Sequence, residues 1–247
     1  MMKRAILFGA AAALLFAGPL GAHERKAAPT SPEAVDHARV CARGNGQDTI
    51  DACNFMIHTV NQSYSDRAVS FVNRGVAYQL QGFYDHALFD YNQAVMLWPE
   101  YAVAFYDRAS AFDMLGRHQE ALENYNEAIS LQPEYARAIL SRGMTYEDMG
   151  KLDSALADYN AYTRLRPDDP QVLNNRGLVY FRLANYAAAI ADFSTVLAAN
   201  PNVPGALYVR GIARLKSGDT SGNADIAAAT SFDPAIAAKY ATIGVRP

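Results

Sequence analysis

The chain has 247 residues, of which 51% are hydrophobic, 19% charged and 11% aromatic. This is the composition of an ordinary globular protein, and it excludes a disordered or largely membrane-embedded chain. The formal net charge of −3 excludes the strongly basic surface that is typical of nucleic-acid-binding proteins.

Residues 1–22 have the layout of a secretory signal peptide. Lys3 and Arg4 make a basic start, an apolar run follows, and small residues precede the expected cut. We predict cleavage after Ala22, with Gly21 or a nearby site as the alternative, and export to the periplasm or the exterior. The apolar run is short for a membrane span, and the competing interpretation is an uncleaved anchor. Cleavage removes two positive charges and leaves a net charge of −5.

Residues 23–33 are predicted to be a flexible leader, because they are largely polar and show no periodicity. At its end, Ser31, Pro32 and Glu33 have the order of an N-cap, a proline in the first turn and an acidic residue after it. These residues predict the start of a helix that Gly44 ends.

Residues 34–67 are predicted to form a degenerate helical hairpin that contains both cysteines. Cys41 and Cys53 lie 34 residues before Gly75 and Ala87, which mark the closest approach of two helices in the repeat that follows. In an exported protein, cysteines at such positions are expected to form a disulfide. The alternative is a redox-active pair, which the spacing and the lack of an adjacent histidine disfavour.

From Ala68 onward, the residue types return at a spacing of 34. The first unit, residues 68–101, predicts two helices with a turn at Gly82. Small and aromatic residues spaced four and three apart share one face of each helix: Phe71, Gly75, Tyr78 and Ala87, Tyr91, Ala94. One such hairpin cannot cover its own apolar faces, so the pattern indicates a stack of repeats.

Three further units follow, at residues 102–135, 136–169 and 170–203, and a proline follows the second helix of each. A fifth unit begins at Pro204 and is one residue shorter before its proline, Pro234. The final segment, 235–247, is predicted to hold a capping helix and a tail. The helix covers the last apolar face of the array.

The recurring pattern of Gly or Ala, Tyr or Phe, Ala, an aromatic residue, Ala and Pro resembles the tetratricopeptide repeat (TPR) family over residues 68–234. The resemblance implies an all-α fold, a right-handed α-solenoid of antiparallel helix pairs. About five units would lie between the degenerate N-terminal hairpin and the C-terminal capping helix. It also implies a concave groove that binds peptides or proteins.

No pattern of catalytic or metal-binding residues accompanies the repeats. The five histidines are isolated, and HExxH, GxSxG and Gly-rich phosphate-loop motifs do not occur. We therefore predict a protein that is not an enzyme and has no cofactor or metal.

One repeated position departs from the commonest form of the family, because arginine replaces the usual leucine. The arginines are Arg74, Arg108, Arg142, Arg176 and Arg210, and sixteen residues after the first four come Asp90, Asn124, Asp158 and Asp192. A recurring Arg with a recurring Asp predicts ion pairs or hydrogen bonds between helices. The alternative is a row of arginines that meets acidic ligands.

By analogy with the family, positions 2, 5, 9, 12 and 13 of each unit face the groove. The predicted peptide-binding residues are Val69, Val72, Val76, Val103, Tyr106, Asp113, Glu147, Asp148, Asn174, Phe181, Arg182, Tyr208 and Lys216. They change from apolar through acidic to mixed basic and aromatic, which suits a peptide with an apolar segment and basic residues. The alternative is a solvated face, with some valines packed on the first hairpin.

The chaperone-binding members of the family bind a carboxyl-terminal carboxylate with lysine, asparagine and arginine at defined groove positions. Val72, Tyr106 and Leu140 occupy the corresponding fifth positions, and none of the three is a lysine. A carboxylate clamp of that kind is therefore not expected.

These patterns predict a non-catalytic scaffold or adaptor in the cell envelope that captures a protein or peptide segment in its groove. The alternative is a structural or assembly component that acts by self-association or through its convex surface. A third hypothesis, an enzyme or carbohydrate-processing factor, has no converging site residues. We expect no nucleic-acid partner and no membrane span after processing, and the sequence leaves the identity of the partner open.

Overall fold

The computed structural model describes residues 31–44, 46–58 and 62–246, and these residues form thirteen α-helices and no strand. The predicted signal peptide and residues 23–30 of the predicted leader lie outside the described residues. None of the described helices is both long and apolar enough to cross a membrane. The chain divides into two compact units, Met1–Leu131 and Gln132–Pro247.

The described part of the first unit contains three helical hairpins, and each helix packs against the next along the chain. Its helices are α1 (Pro32–Arg43), α2 (Gln47–His58), α3 (Tyr64–Leu80), α4 (Tyr84–Leu97), α5 (Ala102–Met114) and α6 (His118–Leu131).

The first hairpin begins and is cross-linked as its sequence predicts. The Ser31 hydroxyl accepts a hydrogen bond from the Ala34 amide at 3.1 Å, so α1 begins at Pro32, inside the range predicted for the leader. A disulfide joins Cys41 on α1 to Cys53 on α2, with the Cα atoms 4.8 Å apart. Both cysteines are buried, and the bond therefore lies inside the hairpin.

The helix α3 begins at Tyr64, four residues before the predicted boundary at Ala68. The cause is an N-cap: the Ser63 hydroxyl accepts a hydrogen bond from the Asp66 amide at 3.0 Å and donates to the Asp66 carboxylate at 2.6 Å. This local signal precedes the repeated pattern, which is why the pattern does not reveal it.

The two helices of the first repeat meet where the sequence predicts close approach. A Cβ atom on Gly75 would lie 2.7 Å from the ring of Tyr91, and both Tyr91 and Ala87 are fully buried. A larger residue at Gly75 would displace this ring, because packed interiors leave no room for an added methyl group.

The second unit contains three further hairpins and a final short helix. Its helices are α7 (Ala136–Asp148), α8 (Leu152–Leu165), α9 (Pro170–Arg182), α10 (Tyr186–Ala199), α11 (Pro204–Lys216), α12 (Gly222–Phe232) and α13 (Ile236–Ala241). The last of these is the predicted capping helix, and it packs on α11 and α12. Ile236 of α13 is buried in the core of this unit.

The chain after α13 is folded back on that helix. Gly244 has a φ of 84°, and the Val245 amide donates to the Tyr240 carbonyl at 3.0 Å. This is the hydrogen bond of a helix C-terminal turn that needs a left-handed residue. Val245 is fully buried in the core of this unit, so the segment around it is anchored.

The turn inside each repeat uses the same left-handed conformation, with one exception in residue type. Gly82, Gly116, Gly150 and Gly218 all have positive φ, and Ala184 occupies the equivalent place with a φ of 57°. Alanine pays a steric cost in this region because its Cβ approaches the following carbonyl, whereas glycine does not.

Replacing this alanine should therefore stabilise the protein. We expect Ala184→Gly to raise the free energy of unfolding by about 1 kcal/mol. The control is Ala191→Gly, an exposed position inside α10, which should lower that free energy by about 1 kcal/mol. Urea denaturation followed by circular dichroism measures both. A loss of stability in Ala184→Gly would show that no strain is stored at this turn.

Candidate functional site

Four of the five recurring arginines pair with an aspartate of the second helix in the same repeat, three of them with the predicted one. In four repeats the arginine donates from Nε and Nη2 to both carboxylate oxygens at 2.6–2.9 Å. The pairs are Arg74 with Asp90, Arg142 with Asp158, Arg176 with Asp192, and Arg210 with Asp225. The aspartates are buried, so the arginines are engaged inside the structure.

The second repeat uses an uncharged version of the same contact. Arg108 Nε donates to Asn124 Oδ1 at 2.7 Å, and Asn124 itself donates to the Glu120 carbonyl at 2.8 Å. The charged and uncharged partners are associated with opposite shifts in the pKa of the arginines. Hydrogen bonds to Asp158 and Asp192 raise the pKa of Arg142 and Arg176, whereas burial lowers the pKa of Arg108.

The same guanidinium groups also reach the preceding repeat. Arg108 Nη1 donates to Asn92 Oδ1 at 2.8 Å, and Arg176 Nη1 donates to Asn160 Oδ1 at 3.0 Å. Arg74 makes the corresponding contact with Asn54 on α2. One arginine therefore connects its own helix to two others.

Position 12 of the repeat, which was predicted to face the groove, lies inside in two repeats of the second unit. Glu147 is only 5% exposed and accepts a hydrogen bond from the Tyr159 hydroxyl at 2.8 Å. One repeat later the two residues are Phe181 and Phe193, both buried and both lacking a polar atom there. The first repeat has Tyr91 donating to Gln79 at 2.9 Å. In these three repeats, position 12 is polar where the residue twelve places later is tyrosine, and apolar where that residue is phenylalanine.

Four of the predicted groove residues have little surface to offer a ligand. Val72, Glu147, Phe181 and Tyr208 are at most 6% exposed. Tyr208 is covered by the last helix, since its ring centroid lies 5.7 Å from that of Tyr240. These residues belong to the packed interior, and a groove assignment for them needs correction.

The other predicted residues keep partial or full exposure. In the first unit, Val69, Val76, Val103, Tyr106 and Asp113 are half-buried. Asp113 Oδ1 lies 3.0 Å from His118 Nδ1, within hydrogen-bond distance. The ring centroid of Tyr106 lies 6.0 Å from that of Tyr125. In the second unit, Asn174 is half-buried, and Asp148, Arg182 and Lys216 are exposed.

An open pocket of about 410 Å³ lies in the second unit where α9 and α11 end. We call it the C-terminal pocket. Its lining includes Phe181, Arg182, Tyr186, Lys216, Ile243 and Arg246. Sequence reasoning named Phe181, Arg182 and Lys216 but missed the other three. No repeat pattern extends to Ile243 and Arg246, so nothing in the sequence placed them there.

The part of the chain that the structure describes contains no group of three His, Cys, Asp or Glu side chains that could hold a metal ion. The exposed polar and charged side chains can form hydrogen bonds and charge contacts with another molecule.

Comparison with known families identifies the repeat. Profiles described as tetratricopeptide repeats match residues 102–135, 140–204 and 175–235, which together make up more than half of the chain. The chain belongs to the tetratricopeptide repeat family. The predicted all-α solenoid fold is thereby confirmed. No curated protein sequence matches the chain significantly.

Several solved structures share the tetratricopeptide fold of this chain at low sequence identity. MamA matches at 17% identity and a TM-score of 0.62, over 70% of this chain and 94% of MamA. MamA from Desulfovibrio magneticus RS-1 matches at 16% and 0.64, over 70% and 98%. YrrB, described as a TPR protein with an unusual peptide-binding site, matches at 16% and 0.65, over 72% and 92%. At these identities the likeness shows the fold alone.

The arginine contacts of this tetratricopeptide array can be tested by two matched substitutions. We expect Arg176→Met to lower the free energy of unfolding by about 3 kcal/mol, because Asp192 stays buried without its counter-charge. We expect Arg108→Met to cost about 1 kcal/mol, since Asn124 is neutral and keeps its bond to the backbone. Urea denaturation measures both. Equal losses would argue against a structural role for the charge.

Proposed function

We propose that this protein is a non-catalytic interaction scaffold that captures a peptide segment of a partner on the first-helix surfaces of its repeats. One observation carries the proposal. The recurring arginines are paired and the recurring second-helix aromatic residues are buried, whereas many of the half-exposed and exposed first-helix side chains differ from one repeat to the next. Recurring residues build the stack, and the varied ones remain available for selective contact.

The two units offer different chemistry to a ligand. In the first unit, Val69, Val76, Val103 and Tyr106 supply partly exposed apolar and aromatic surface. In the second, Asp148 and Asn174 supply polar groups. Apolar and aromatic residues contribute most of the binding free energy in protein interfaces, and charges contribute selectivity. The peptide-binding site described for YrrB supports the same class of ligand for a protein of this fold.

A second candidate function is assembly through the outer helices. Phe89 and Met96 are seven residues apart on α4 and are 59% and 74% exposed. Exposed apolar side chains on one helical face are typical of contacts with another protein. This function predicts a mass in light scattering that increases with concentration, and Phe89→Ser with Met96→Ser should abolish that increase.

We further propose that the protein acts in the cell envelope after removal of its signal peptide. The buried disulfide between Cys41 and Cys53 supports an oxidising compartment. Amino-terminal sequencing of protein purified from its native cells tests this proposal. The expected mature chain begins at His23, and a chain that retains Met1 would contradict export by cleavage.

Peptide capture is tested by selecting displayed random peptides on the immobilised full-length protein. We expect selected peptides to lose affinity for Tyr106→Ala in the first unit or Asp148→Lys in the second, by about tenfold or more. Glu127→Lys, an exposed change on α6, is the control that should retain binding. Circular dichroism verifies that each variant keeps its helices.

Failure to enrich any peptide would contradict peptide capture. So would peptides that bind both first-helix variants as well as the unchanged protein. Binding lost only in the α4 variant would favour the outer surface.

A further inference from the structure

The C-terminal pocket brings together three cationic side chains from three separate segments. Arg182 ends α9, Lys216 ends α11, and Arg246 belongs to the tail after α13. Arg182 and Lys216 occupy the same repeat position, 34 residues apart, so the repeat places them side by side. The tail supplies the third cation independently of the repeat.

Arg246 is held at the pocket by its neighbour in the chain. Val245 is fully buried, and its amide donates to the Tyr240 carbonyl at 3.0 Å. This anchor keeps the backbone of Arg246 beside the pocket. Ligand binding therefore has to order the side chain of Arg246 but not the segment that carries it.

Two of the three cations of this pocket make no internal ion pair. Arg182 forms an ion pair with the buried Glu147 at 3.7 Å, which is longer than a hydrogen bond, and the Tyr159 hydroxyl also donates to that carboxylate. Lys216 and Arg246 make no hydrogen bond or ion pair within the described part of the chain, and both are exposed. By contrast, Arg176 is bound to both oxygens of Asp192.

Helix dipoles explain only part of this arrangement. Arg182 and Lys216 lie in the last turns of their helices, where a positive charge is stabilised by the negative helix end. Arg246 lies outside any helix, and the dipole of a helix does not account for its position. Binding of an anionic ligand would explain why all three cations lie at one cavity.

The surroundings identify the chemistry of the ligand. Tyr186 and Ile243 add an aromatic and an aliphatic group to the lining beside the nearly buried Phe181, and no acidic residue is among the described residues that line the cavity. A ligand with an anionic group and adjacent apolar atoms would contact both the cations and the apolar lining of the pocket. Carboxylates are the anions that arginine binds through paired hydrogen bonds, as the repeats of this chain show.

We propose that the C-terminal pocket binds acidic side chains of a peptide segment in which Asp or Glu lies next to an apolar residue. This inference rests on the proposed function, because it assigns a ligand chemistry to one end of the peptide-binding surface.

The distribution of charge favours a peptide over a nucleic acid or an anionic membrane. Residues 132–247 carry twelve basic and eleven acidic side chains, and residues 1–131 carry ten and fourteen. Neither half has the broad basic surface that binds a phosphate backbone or a lipid surface. Three of the basic side chains of the second unit lie at one pocket, which suits a few carboxylates.

The experiment uses the full-length protein and a fluorescein-labelled peptide of Glu-Ser-Leu-Glu repeats with both ends blocked. The blocked ends exclude recognition of a terminal carboxylate. A matched peptide with Gln in place of every Glu is the control ligand. Fluorescence anisotropy measures both, at low and at high salt.

We expect the Glu peptide to bind more tightly than the Gln peptide, and salt to weaken only the Glu peptide. Lys216→Gln and Arg246→Gln should each weaken binding of the Glu peptide by about tenfold. Arg164→Gln, an exposed change at the end of α8 outside the pocket, should leave binding unchanged. The unfolding transitions of the two pocket variants should match that of the unchanged protein.

Equal binding of the two peptides, no binding of either, or unchanged binding by Lys216→Gln and Arg246→Gln would overturn the proposal. Display-selected peptides are measured on the same variants. If these peptides bind and do not depend on Lys216 or Arg246, the pocket assignment fails while peptide capture stands. If no selected peptide exists, peptide capture fails as well.

Discussion

The arginines of the repeated position join helices through one planar group. In four repeats two of its nitrogens bind an aspartate of the second helix, and in several repeats the third nitrogen reaches the preceding helix, as Arg176 does with Asp192 and Asn160. Leucine at this position would contribute only contact area. The guanidinium adds direction, because its donors fix the relative orientation of the helices they join. The price is a buried charge, which the aspartate compensates.

This constraint separates the residues that build the array from those that can meet a partner. Arginines that look like a basic stripe in the sequence are engaged inside, so they do not form a ligand surface. Arg182 and Lys216 lie at a different repeat position, near which the structure places Arg246. These three cations lie together at one pocket of the second unit and are not part of the repeated arginine contacts.

Much of the fold could be predicted from the sequence, because each 34-residue unit packs its two helices through the same residue positions. Gly75, Tyr91 and the arginine pairs lie where the pattern indicates. The pattern failed where the chain departs from it. Asp225 was not recognised as the partner of Arg210, because the fifth repeat is one residue shorter and the separation falls from sixteen to fifteen. The start of α3 depends on Ser63, which precedes the repeat.

The candidate site was harder to predict, because exposure depends on neighbours that the family pattern does not specify. The repeat position of Glu147 predicts a groove residue, but its carboxylate accepts a buried hydrogen bond from the Tyr159 hydroxyl. Tyr208 is covered by Tyr240 of the last helix. Arg246 reaches the C-terminal pocket only because Val245 is buried. Such contacts arise from tertiary packing, which residue spacing does not encode.

The central claim is that the recurring arginines act by joining helices and not by binding ligands. A double-mutant cycle on Arg176→Met and Asp192→Asn tests it most directly, with unfolding free energies and the affinity for display-selected peptides measured on all four proteins. We predict a coupling energy of about 2 kcal/mol in unfolding and unchanged peptide affinity. A coupling energy near zero, together with lost peptide binding, would contradict the claim.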